Sequence, residues 1–370
     1  MTDPDNRRGG PKYIKRAYRG RNIMLVLVVI LVVFAGIFGF RALGNAQKAV
    51  DKSYESAGFE KARNTDKLLK GRKPFSILLM GTDTGELGRK YKGRTDSMML
   101  AVVNPKKQTT TLVSLPRDTI IAPVGYENQF PTKLNSAYEL GSAETSMQTV
   151  QAWLNVPVDY YALVNMRGLE QVVNELGGIK VTSPLSFKYN PDTAHEDAGN
   201  LYEFKKGSSD FTHTGKDGKT KSYNKMDGAA ALAFSRMRYQ DPEGDYGRQA
   251  RQRLVLEGIA SKGLSNPVQL ADQGFLSAIS KSVKTDLSFD NIQQISGNYL
   301  PAGKNIKTDH LVGKAYNTRS GSAEYISNET KQGVTDNLRK ELDLAPAETG
   351  PLYGGAVDMY TADQHALPVP

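Results

Sequence analysis

PFSILLMGTDTGELGRKYKGRTDSMMLAVVNPKKQTTTLVSLPRDT, residues 74–119, is the stretch whose reading decides the fold. Three apolar or β-branched runs, 75–80, 97–103 and 109–115, are each short enough for a strand and are separated by Gly-rich or Asn-Pro turn signals. The region therefore reads as a meander of three strands. Its polar residues fall at the strand ends: Asp83 after the first, Asp96 before the second, Arg117 and Asp118 after the third. Strand ends are where α/β folds place their sites.

Downstream, helical periodicity over 143–154 and 167–176 flanks an expected strand at 160–164. Gly177-Gly178 closes the second helix ahead of an expected strand at 179–182. Met147, Val150, Trp153, Leu154, Leu169, Val172, Val173 and Leu176 form an apolar stripe that reads as core. Alternation of strands with helices makes the class α/β. Residues 186–225 are polar with little periodicity, and a lid, a surface hairpin or a disordered insert all fit. Further helices are expected at 290–299 and 327–342, with a short strand at 310–312. From Ala345 the composition turns to Pro, Gly and Ala, which reads as a flexible tail over 345–370.

Between the insert and these last elements lies FSRMRYQDPEGDYGRQARQR, residues 234–253. Arg236 and Arg238 follow an apolar run, 229–234, and on a strand both would point to one face. Asp241-Pro242-Glu243-Gly244 reads as a turn. From Arg248 onward a helix is expected, with Arg248, Arg251, Gln252 and Val255 sharing a side and Arg253 pointing off it to the surface. Several guanidinium forks gathered near a helix start suit a phosphate or pyrophosphate.

The chain has 370 residues and a net charge of +9. Residues 1–22 hold seven basic against two acidic side chains, a net of +5, which leaves about +4 for everything else. Basic charge so concentrated in a tail argues against a nucleic-acid partner. The absence of cysteine excludes disulfides, thiolate metal sites and a cysteine nucleophile, and the four histidines are scattered. Residues 23–40 are apolar or Gly throughout, bracketed by Arg21 and Arg41. At about 1.5 Å per residue they span roughly 27 Å, close to the hydrocarbon thickness of a bilayer. A transmembrane helix is expected over 23–41. The basic flank puts 1–22 in the cytoplasm and the remainder outside the cell. Residues 42–73 read as a stalk or linker and 74–344 as the catalytic domain.

Asp83 and Asp96 are the candidate metal ligands, since paired carboxylates beside a phosphate site are a usual way to hold Mg²⁺ or Mn²⁺. Arg117, Arg236, Arg238 and Arg248 would neutralise the remaining oxygens. Walker, G-x-S-x-G and H-E-x-x-H patterns are absent, which disfavours kinases, serine hydrolases and zincins.

The ordered motifs GTDT (81–84), GRTDSMML (93–100), SLPRDT (114–119), KLNSAY (133–138), NELGGI (174–179), then FSRMR and GDYGRQARQR resemble the LytR-CpsA-Psr family of cell-envelope enzymes. The resemblance implies a central mixed sheet packed by helices on both faces, with an apolar groove for a polyprenyl tail. It implies a transferase moving a glycopolymer, teichoic acid or capsule-like, from an undecaprenyl pyrophosphate carrier to peptidoglycan on the outer face of a Gram-positive membrane. Asp83 and Asp96 would hold magnesium. Arg117, Arg236, Arg238 and Arg248 would surround the pyrophosphate with Gln252 and Asp245, and Arg251 joins them by its place on the helix. Asp118 is a candidate base. Some members carry Arg where Gly85 stands, and Arg94 is the candidate replacement. A polyprenyl pyrophosphatase would use the same residues with water as acceptor. A non-enzymatic transcriptional attenuator is the other alternative, and residues 1–22 lack a helix-turn-helix pattern to serve it.

Overall fold

The computed structural model describes residues 40–82, 93–265, 272–318, 321–365 and 367. In chain order the elements are α1 (Phe40–Ser53), α2 (Thr65–Lys70), β1 (Phe75–Thr82), β2 (Thr95–Asn104), β3 (Thr109–Ser114), β4 (Ile120–Ile121), β5 (Thr132–Lys133), α3 (Ser136–Leu154), β6 (Tyr160–Asn165) and α4 (Met166–Glu175). There follow β7 (Phe187–Tyr189), β8 (Leu201–Phe204), β9 (Phe211–Thr214), β10 (Thr220–Tyr223), α5 (Gly228–Arg236), α6 (Asp245–Ser265), α7 (Gln273–Ser282) and β11 (Val283–Thr285). The chain closes with α8 (Phe289–Asn298), β12 (Ile306–His310), β13 (Lys314–Thr318), β14 (Gly321–Tyr325), α9 (Asn328–Glu341) and α10 (Met359–Gln364).

The expected meander forms the centre of a six-stranded mixed sheet in the order β11-β6-β1-β2-β3-β12. β1 runs antiparallel to β2 from Phe75↔Val103 to Gly81↔Ser97, and parallel to β6 from Ile77↔Tyr160 to Thr82↔Asn165. Every residue of β1 is buried. Such a strand must be covered on both faces, and successive side chains sort to opposite sides. Ile77, Leu79, Met99 and Ala101 join one core with residues of α4, α5, α6, α7 and α8. Leu78, Met80, Met98 and Leu100 join another with Met147, Val150 and Trp153 of α3 and Leu338 of α9. The apolar stripe read from the sequence is thus core, divided between the two sides of the sheet.

Four expectations are corrected. Residues 229–234 form the helix α5 rather than a strand: Ala229, Ala230, Ala231 and Ala233 are strong helix formers, and Asp227 caps them by accepting from Ala230 N at 2.8 Å. At 179–182 the only β pairing among described residues is an isolated bridge, Ile179↔Met226. The stalk expected over 42–73 is instead packed on the domain, because Val50 and Leu69 enter the core and Tyr54 bridges Thr285. Arg63 Nε also donates to the buried Asp159 at 2.9 Å. Finally, the residues from Ala345 lie on the domain. Leu352 and Tyr353 pack with Ile120, Ala122 and Phe130, and Lys331 Nζ donates to the carbonyls of Trp153, Gly350 and Pro351 at 3.1, 2.8 and 2.7 Å.

The polar insert is a four-stranded antiparallel sheet, β10-β9-β8-β7. Phe187, Tyr202, Phe204 and Phe211 are buried, with Phe204 edge-on to Phe234 of α5 at 5.2 Å. The run 23–39 lies outside the described residues. Among those described, no helix is long and apolar enough to cross a membrane.

Candidate active site

The turn 241–244 forms as expected, with Gly244 N donating to Asp241 O at 2.9 Å and Gly244 at φ 55°. It joins the end of α5, where Arg236 is the last helical residue and Arg238 lies just beyond, to the start of α6 at Asp245. On the sheet, Asp96 sits near the start of β2 and Arg117 follows β3. Because β2 and β3 are antiparallel, with Met99 opposite Ser114, these two ends are adjacent.

Asp96 is the meeting point. Its Oδ1 accepts from Arg117 Nη1, and its backbone carbonyl accepts from Arg248 Nη2 at 3.5 Å. Two guanidinia from segments far apart in sequence therefore converge on one residue. Asp118 is flanked by two cations, Lys133 Nζ at 2.9 Å and Arg117 Nε at 3.6 Å. Its carboxylate already serves as a counter-ion in this arrangement. Gln252 is buried, and its Oε1 has no hydrogen-bond partner within the protein. An unsatisfied buried acceptor is where a ligand donor or a water is accommodated. Arg94, exposed, is paired with Glu139 at 2.8 Å. Asp83 lies outside the described residues, as does the side chain of Asp245.

Neither Arg251 nor Arg253 takes the place the helical pattern assigns it. Arg251 is fully buried; it donates to Phe234 O at 3.1 Å and to Met237 O, and forms an ion pair with Asp241. Burial lowers its pKa and Asp241 opposes the shift. Its donors tie the end of α5 to the turn, a positioning task. Gly247 makes room for this arrangement, since a Cβ there would stand 2.0 Å from Asp241 Oδ2. Arg253, expected at the surface, is partly buried and donates to Ser114 Oγ at 3.1 Å, at the end of β3. Burial lowers its pKa too, against Glu257 and Glu243. Glu257, one turn further along α6, is pushed up to about 7 by burial, with Arg253 opposing.

Three more residues border the site without having been singled out as site candidates from the sequence. Lys133 lies in β5, which pairs with β4 just after the PRDT loop. Glu324 of β14 donates its N–H to Asp118 O at 2.9 Å and accepts from Tyr246 Oη at 2.7 Å through Oε2. Tyr246 lies in the first turn of α6, so the β13–β14 hairpin is stitched to both halves of the site. Nothing local marked Glu324, which reaches the site only through the fold.

A residue whose carboxylate holds one guanidinium and whose backbone carbonyl accepts from another, at the strand ends of a mixed sheet, suits an anionic group able to displace internal ion pairs. Residues 40–341 match the LytR_cpsA_psr family, and the chain belongs to it. A polyisoprenyl-teichoic acid–peptidoglycan teichoic acid transferase, TagU, of Enterococcus faecalis is 37% identical over 328 residues, covering 88% of this chain and 99% of that protein. The biofilm regulatory protein A of Streptococcus mutans is 32% identical over 368 residues, covering 94% and 86%. Among solved structures, the protein gbs0355 of Streptococcus agalactiae superposes with a TM-score of 0.64 at 34% identity, covering 83% of this chain and 99% of that one.

Proposed function

We propose that the chain transfers a glycopolymer of the teichoic acid class from a polyprenyl pyrophosphate carrier to peptidoglycan. The convergence of Arg117 and Arg248 on Asp96 carries this reading. Without ligand, Asp96 neutralises Arg117. An arriving pyrophosphate replaces that carboxylate with its own oxygens, and Arg forks match such oxygens two at a time. The kinship with a transferase 37% identical over 88% of this chain supports the activity.

Asp96 offers hard oxygen donors, at a partly exposed position beside the cations, and such donors fit magnesium or manganese. With Asp83 it would hold the ion, which supplies charge neutralisation at the phosphate oxygens. Arg117, Arg236, Arg238 and Arg248 bind and orient the pyrophosphate. A peptidoglycan hydroxyl attacks the glycan-side phosphorus, the bond to the bridging oxygen breaks, and polyprenyl phosphate leaves as a phosphodiester forms. Residues 23–40 anchor the chain in the membrane with the domain outside the cell.

The test is product analysis with a polyprenyl-pyrophosphate-linked polymer, with and without peptidoglycan. Polymer joined to peptidoglycan is expected. Release of polymer phosphate in equal yield whether or not acceptor is present would instead identify a pyrophosphatase.

A further inference from the structure

Tyr239 is 74% exposed, the most exposed large apolar side chain among the described residues. Its backbone is nevertheless fixed on both sides. Met237 O is held by Arg251, and Asp241 N donates to Arg238 O at 3.2 Å. Gln240 makes a two-way clamp on β7, accepting from Lys188 N at 3.1 Å and donating to Lys188 O at 2.6 Å. A ring on so rigid a perch keeps its apolar surface in water at a cost that a small rotation toward the core would avoid.

The ring is also supported from behind. His195 stacks on it with centroids 5.6 Å apart and planes at 25°. His195 comes from the loop between β7 and β8, which is itself organised: Asn190 N donates to His195 O at 2.8 Å, and the buried Asn190 side chain donates to Asp197 O at 2.9 Å. The polar insert thus brings one ring alongside Tyr239, and at 74% exposure the opposite ring face meets solvent.

We propose that this Tyr239 face is a stacking subsite for a pyranose ring, adjoining the pyrophosphate site through Arg238; the proposal rests on the transfer reading above. A sugar offers an apolar C–H face to an aromatic ring while its hydroxyls stay hydrated, so a single exposed ring among polar neighbours suits it. Arg238, Pro242 and Glu243 are exposed around Tyr239, which is not the concave apolar wall that a lipid tail needs. The sugar belongs either to the carried polymer or to the peptidoglycan strand, and the experiment separates them.

Full-length chain and its Tyr239→Ala, Tyr239→Phe, Tyr239→Trp and His195→Ala variants are compared in the transfer reaction, with donor and acceptor titrated separately. Tyr239→Ala is expected to raise KM for one of them by roughly fivefold to tenfold, with kcat little changed. Phe and Trp should retain the parent value, and His195→Ala should fall between. A donor-side change assigns the ring to the carried polymer, an acceptor-side change to peptidoglycan. Unchanged KM for both in Tyr239→Ala, while the parent transfers normally, overturns the proposal and leaves the transferase reading standing. Binding of soluble polymer or peptidoglycan fragments, read from labelled tyrosine ring resonances, needs no turnover. If neither fragment shifts the Tyr239 signal saturably, the subsite is refuted even should the parent prove inactive in transfer.

Discussion

Replacing Arg251 separates a positioning arginine from those that meet the substrate. Arg251→Ala removes a fully buried cation that serves two backbone carbonyls and Asp241, whose side chain is only 5% exposed. The ion pair itself contributes modestly. Its disruption is costly because the Asp241 carboxylate remains behind, buried and uncompensated, at about 3–5 kcal/mol. For a domain of this size that corresponds to roughly 5–10 °C in melting temperature. The double variant Arg251→Met with Asp241→Leu takes away the stranded charge along with its partner and should recover a large part of the loss. Thermal unfolding followed by circular dichroism measures each form, with transfer assayed in parallel well below the melting range. An Arg251→Ala protein that melts within a degree of the parent yet no longer transfers polymer would refute this assignment and return Arg251 to the substrate site.

Arg117→Ala and Arg238→Ala should behave in the opposite way. Each is expected to lower transfer by about 10²–10³-fold with an unchanged unfolding midpoint, and full transfer by both would remove the proposed site. Burial holds the Glu257 carboxyl at about 7, so the folded chain keeps a proton that the unfolded chain releases near 4.5. Stability should therefore fall as pH rises through that interval, and Glu257→Gln should flatten the slope by about 1 kcal/mol after allowance for solvent screening, as read from denaturation midpoints across pH. Lys331→Met leaves the carbonyls of Trp153, Gly350 and Pro351 without their donor, at about 1–3 kcal/mol. Limited proteolysis should then cut the segment after Ala345 at least several times faster, while transfer persists. Chelation of divalent ions should stop transfer and added Mg²⁺ restore it, whereas transfer unaffected by a chelator would exclude the role assigned to Asp96.

Much of this architecture was legible because β1, β2 and β3 are continuous apolar or β-branched runs bounded by turns, a pattern with few alternatives. The run 229–234 was misread because six apolar residues fit either a strand or a buried helix. The cap at Asp227 was the signal that separates them. The insert escaped assignment because its strands are three or four residues long and alternate single aromatics with polar groups, so its apolar face exists only against Phe234. The site was partly readable. Asp96, Arg117 and Arg248 meet as their positions at strand ends and a helix start implied. The helical wheel grouped Arg251 with Arg248, yet it carries no information on which neighbour each one faces. Arg251 turns to the end of α5, while Arg253 finds Ser114 on β3. Glu324 contacts Asp118 from some two hundred residues away, a pairing that tertiary folding alone creates.

The seating of α1 sets how far the catalytic apparatus can roam. Val50 is already locked in the core, only ten positions after Phe40, about 15 Å of helix. With the apolar run in the bilayer as proposed, this is a short tether rather than a flexible arm. The search for a carrier would then be a lateral one within a single leaflet. On that proposal peptidoglycan strands would have to come down to the enzyme, since the helix between Phe40 and Val50 would leave it little slack with which to rise to them.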